Sequence, residues 1–106
     1  MQKELSMSMH YHFMVDFTMP GKPCDEFFDL IPYQRVVVNK YFQEGKLLNY
    51  ALSEEKSKLW AVFNANSEME VLEMLVDFPL TRFMQVEICL LSQFDGNTLE
   101  PTFSLN

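Results

Sequence analysis

The chain has 106 residues, with 15 acidic against 8 basic side chains, a formal charge of −7 and 48% hydrophobic residues. That length suits a single domain with a thin core, since a chain this short buries only about two-thirds of its unfolded surface. Further burial in an oligomer would therefore be physically useful. The acidic balance argues against nucleic acid as a partner, because phosphate binding needs a basic face, and aromatics at 14% argue against a disordered chain. No apolar run approaches the ~20 residues that span a bilayer, so no membrane partner is expected. Residues 1–12 hold no hydrophobic stretch of signal-peptide type, and a cytoplasmic location is the expectation. Cys24 and Cys89 form no CxxC pair; both are expected to be free, inert thiols.

Residues 1–8 read as an N-terminal extension, 9–95 as the domain and 96–106 as a loose tail. Within the domain the first strand is His10 to Thr18. There Tyr11, Phe13, Val15 and Phe17 alternate with His10, His12, Met14 and Asp16. Met19-Pro20-Gly21-Lys22-Pro23 breaks the chain before a helix over Asp25 to Gln43, with Phe27, Ile31, Val38 and Phe42 on its apolar face. Pro32 removes one amide donor, which predicts a kink or short break near Leu30. Gly45 is positioned to stop the helix in a left-handed conformation.

A hairpin follows, Lys46 to Ser53 and Lys58 to Ala65, around the turn Glu54-Glu55-Lys56-Ser57. Ser67-Glu68-Met69-Glu70 is a capping box. It opens a second helix with Val71, Leu72, Leu75 and Val76 on the apolar face, ended by Pro79. Met84 to Phe94 reads as the last strand, alternating Val86, Ile88 and Leu90 with Gln85, Glu87 and Cys89.

This β-α-β-β-α-β order predicts an α+β, ferredoxin-like split βαβ fold: a four-stranded antiparallel sheet with both helices on one face. The first and last strands are not expected to be neighbours at the sheet centre. The helix-free face would hold His12, Met14, Asp16, Gln85, Glu87 and Cys89, with Leu48, Tyr50 and Trp60 from the hairpin. Such a face is too apolar for exposure and too polar for a plain core. A second copy packed sheet to sheet would enclose it as a dimeric α+β barrel, so a homodimer or larger homo-oligomer is expected.

The run Glu44-Gly45, Val62-Phe63, Ser67, Phe78-Pro79-Leu80 and Phe83-Met84-Gln85-Val86-Glu87 resembles the muconolactone Δ-isomerase family. The likeness extends over about Met9 to Phe94, and its most specific element is Pro-Leu-x-x-aromatic-Met-x-aliphatic-Glu. The resemblance implies a dimeric barrel and cofactor-free isomerisation of a small unsaturated lactone in aromatic catabolism. It also places His12 on a histidine of the family's first strand and Glu87 on its last-strand glutamate. Where the family carries basic and histidine side chains along the second strand, this chain has Leu48, Asn49 and Leu52.

A proton shift needs a base, an acid and donors for developing negative charge. His12 and Glu87 are the catalytic candidates: histidine because it ordinarily titrates near neutrality, Glu87 because partial burial would suit it to acid or base work. A structural Glu87, by contrast, would pair with Lys58, Lys46 or Arg82. Arg35, Tyr33, Asn49, Tyr50 and Trp60 are the substrate-binding candidates, with Arg35 suited to hold an anion bidentately. His10, His12 and Asp16 have strand spacing compatible with a metal, yet nothing else converges on them, and neither metal nor cofactor is expected. Two other readings stand beside the isomerase: a cofactor-independent monooxygenase of the same barrel superfamily, and a non-catalytic small-ligand-binding or structural oligomer.

Overall fold

A computed structural model describes residues 10–96; the proposed extension and the tail from residue 97 onward lie outside them. In chain order the elements are β1 (Tyr11–Thr18), α1 (Asp25–Gln43), β2 (Leu47–Ser53), β3 (Lys58–Ala65), α2 (Glu68–Asp77), a 3-10 turn (Thr81–Phe83) and β4 (Gln85–Leu90). The strands form one antiparallel sheet in the order β2-β3-β1-β4. This is the ferredoxin-like fold. The last strand stops at Leu90, four residues short of the expected end. Contrary to the sequence-based expectation, β4 is hydrogen-bonded directly to β1, with Glu87 opposite Asp16 and Ile88 opposite Val15.

Period-two alternation makes β1 the spine of the core. Phe13, Val15 and Phe17 are buried beneath the helices and lie across from Phe63, Ala61 and Leu59 of β3. Over them pack Val38 and Tyr41 of α1, and Val71, Met74 and Leu75 of α2. Phe78, just after α2, stacks on Tyr41 at 5.3 Å between centroids and meets the edge of Phe63 at 5.9 Å. The Tyr41 hydroxyl donates to the Asp77 carboxylate, tying α1 to α2. Burial, then that carboxylate and the charge on Glu44, raise the phenol's pKa well above its ordinary value. A raised pKa stabilises the fold below about pH 10, where unfolded tyrosine titrates, and that contribution is lost only as strong alkali ionises the folded phenol.

The buried stripe of α1 differs from the predicted one. Phe27, Gln34, Val38 and Tyr41 face inward, whereas Ile31 is 45% and Phe42 39% exposed. Pro32 lies inside the helix, which continues unbroken. Pro32 is on the exposed side of the helix, where the carbonyl that proline leaves without a donor can be solvated. In α2, Met74 replaces Leu72 and Val76 on the inward face, and Val76 remains 81% exposed.

Both predicted helix signals operate. Gly45 takes φ 74°, with its N–H donating to Phe42 O and that of Lys46 to Tyr41 O, the Schellman pattern. Ser67 Oγ accepts from the Glu70 N–H at 3.1 Å, while the Glu70 carboxylate accepts from the Asn66 N–H at 2.6 Å. The reciprocal bond thus reaches one residue further back than in the usual box. Ser67→Ala is expected to cost about 0.5–2 kcal/mol, read as a lower urea midpoint; a curve overlaying the parent would remove the cap's assigned role.

Candidate functional site

The helix-free face of the sheet carries most of the sequence-nominated chemistry. Register places His12, Met14, Asp16 and Thr18 of β1 on it, opposite Asn64, Val62, Trp60 and Lys58 of β3. Cys89, Glu87 and Gln85 of β4 lie across from Met14, Asp16 and Thr18. Asn49 joins them from β2, paired with Val62. Val62 is buried even in the single chain, and Trp60 is half-buried.

Two centres stand on this face. At one end His12 is half-buried, with its ring 5.4 Å from that of Phe94. Directly across from it, Asn64 presents a buried Oδ1 without a hydrogen-bond partner among the described residues. An unsatisfied buried acceptor is costly, so a donor arriving there would be held well. Sequence reasoning overlooked Asn64; its polar side chain within an otherwise buried strand run was the available signal.

The second centre is a hollow of about 350 Å³ bordered by Met14, Asp16, Glu87, Ile88 and Cys89. Asp16 and Glu87 are opposite each other on neighbouring strands, an arrangement that like charges disfavour. Lys58 Nζ offsets it, lying 2.5 Å from Asp16 Oδ1 as an ion contact rather than a directional hydrogen bond. The same ammonium donates to Thr18 Oγ1 at 2.9 Å. Glu87 is exposed in the single chain, not partly buried. Of its three expected ion-pair partners, Lys58 goes to Asp16, Lys46 to Glu44 and Arg82 to Glu26. Glu87 therefore has no ion pair among the described residues. It shares a face with His12 but stands four register positions away, about 13 Å along the strands.

The remaining candidates lie on the other side of the sheet. Tyr50 is opposite Ala61, and Leu52 opposite Leu59, both on the helix side. A bulge between Leu47 and Asn49 shifts the alternation by one residue and turns Tyr50 away from the face expected for it. Arg35 reaches over the Tyr50 ring, 5.6 Å from its centroid, while Tyr33 is exposed on the outside of α1. Of the three second-strand residues that the resemblance singled out, Asn49 borders the helix-free face, Leu52 does not, and half-buried Leu48 occupies the bulge.

Among the described residues, no three metal-binding side chains converge, and no helix is long and apolar enough to cross a membrane. Cys24 and Cys89 are free and both exposed, so neither is the packed apolar residue expected of an inert thiol.

The family model described as muconolactone delta-isomerase matches residues 9–96. The chain belongs to that family. Similarity among solved structures agrees with it. A crystal structure of muconolactone isomerase superposes with a TM-score of 0.64 at 16% identity, covering 84% of this chain and 96% of that one. An uncharacterised protein from Thermotoga maritima gives a TM-score of 0.51 at 6% identity, with 78% and 99% covered. A transcriptional regulatory protein of the AsnC family from Pyrococcus furiosus gives 0.51 at 17% identity, covering 87% of this chain and 58% of its own. At such identities these likenesses concern the fold alone, which serves both an isomerase and a regulator. No curated protein matches the sequence.

Proposed function

We propose that the chain is a cofactor-free isomerase that moves a proton along a small unsaturated lactone, working as a homodimer whose second copy covers the helix-free face. The observation that carries this reading is the gathering of His12, Asn64, Asp16 and Glu87 on the sheet face that the helices among the described residues leave uncovered. Family membership supports the reaction class. His12 is the proton carrier, taking the proton from one ring carbon and returning it at another. Asn64 Oδ1, opposite it and unpartnered among the described residues, is an acceptor placed to take a hydrogen bond from a donor at this end of the face. Met14, Val62 and Trp60 provide an apolar floor, which a second copy would close against water.

Glu87 enters as a second acid or base. Its distance along the sheet means that it and His12 of one chain do not reach adjacent atoms of a small ring. That spacing favours the runner-up reading, a ligand-binding oligomer without catalysis. The decisive test is conversion of muconolactone by the purified protein, followed by ultraviolet absorbance. Turnover supports the isomerase; an inactive, intact oligomer supports the binder. Light scattering at micromolar concentration is expected to show at least a dimer, and a monodisperse monomer would overturn the covered-face arrangement.

A further inference from the structure

Among the described residues β4 is an edge of the sheet, paired with β1 on one side and open on the other. The Leu91 N–H donates to His12 O. Alternation along an antiparallel pair then points the N–H and C=O groups of Val86, Ile88 and Leu90 to the open side. Their side chains face the helices, and Leu90 is 60% exposed. Beside Val86 lies an apolar hollow of about 510 Å³, lined by Leu30, Leu72, Leu75, Phe78 and Pro79. On its wall the buried Thr81 Oγ1 has no hydrogen-bond partner among the described residues. An open edge beside exposed apolar surface invites another strand.

The chain carries a segment that matches this edge. Asp95-Gly96 is a turn pair, and after it Leu99, Pro101, Phe103 and Leu105 alternate with Thr98, Glu100, Thr102 and Ser104. That is the period of a half-buried strand. Phe94 packs on His12, which holds the turn at the Leu90 end of β4. From there residues 97–106 can reach about 33 Å, whereas β4 is only about 20 Å long.

Spacing and charge select the register. In an antiparallel return Leu99 and Phe103 match Leu90 and Val86, each pair being four residues apart. Thr102 then lies opposite Glu87 and Glu100 opposite Cys89. A slip of two residues would set Glu100 against Glu87, a like-charge pair that sheets disfavour. Pro101, opposite Ile88, withholds a single ladder bond, which an outermost strand tolerates.

We propose that residues 98–105 add to the open edge of β4 in the same chain as a fifth strand, with Leu99 over Leu90 and Phe103 seated in the hollow beside Val86 and Leu72. This strand covers the edge and leaves the helix-free face to a second copy. It is independent of the chemistry assigned to that face.

Amide hydrogen exchange, followed by nuclear magnetic resonance on the full chain, tests the proposal. The N–H groups of Val86, Ile88 and Leu90 are expected to exchange about tenfold or more slowly than unprotected amides. Phe103→Asp should return them close to the unprotected rate while leaving Val15 and Phe63 unchanged, and Leu72→Lys should weaken their protection too. Edge amides that exchange freely in the parent would overturn the proposal. Protection that survives Phe103→Asp would assign the edge to another strand, such as β4 of a second copy, and would overturn it equally. The partner's own residues 98–105 are the remaining occupant. In a co-refolded mixture of isotope-labelled and unlabelled chains, contacts from the Phe103 ring to the Val86 methyls are expected within one chain. Contacts found solely between chains, or none at all, would refute the same-chain strand.

Discussion

Replacing His12 by Asn is expected to slow muconolactone conversion ~10²–10⁴-fold, the usual contribution of a positioned general acid–base group. Asparagine keeps hydrogen-bonding capacity beside Asn64 but cannot carry a proton near neutrality. The side chain is half-buried against Phe94 at a strand position, so the smaller amide should leave the sheet intact. A thermal melt close to the parent's would separate lost chemistry from lost structure. Fully active His12→Asn would dismiss this residue as the proton carrier. Glu87→Gln provides the contrast. If one substrate engaged both groups it would suffer a comparable loss, whereas the spacing along β1 and β4 predicts a smaller one.

The other large effect is on stability. Phe63→Ala is expected to destabilise the fold by about 3–5 kcal/mol, the range for deleting a buried phenyl ring. Phe63 is 1% exposed, lies in the sheet between Phe13 and Leu47, and supports Phe78 from below. Removing it leaves Phe78 and the Tyr41 ring stacked above without a floor. Since native domains retain only about 5–15 kcal/mol in total, the variant should unfold at a much lower urea concentration. A midpoint within experimental error of the parent would show that α2 and the sheet do not share this core. An exposed control, Val76→Ala, should change stability little, because its side chain is already in water.

Much of this architecture was legible in the amino-acid sequence because it depends on neighbours a few residues apart. Alternation assigned opposite faces to Val15 and Asp16, and to Ile88 and Glu87. Gly45 and the Ser67–Glu70 pair marked helix ends, since caps act on the nearest free amides and carbonyls. The family likeness and the face shared by His12, Glu87 and Trp60 were also readable there. Three other features came only from tertiary structure. The broad apolar surface of α1 offered several stripes, and contact with the sheet chose Gln34 and Tyr41 over Ile31 and Phe42. The pairing of β4 with β1 set Glu87 opposite Asp16, because strand order is decided by long-range hydrogen bonding rather than local pattern. Finally, one extra residue at the Leu47–Asn49 bulge reversed the alternation of β2, sending Asn49 to the helix-free face and Tyr50 to Arg35. A period-two pattern records which residues share a face, but a bulge changes the parity, and only the partner strand reveals where it falls.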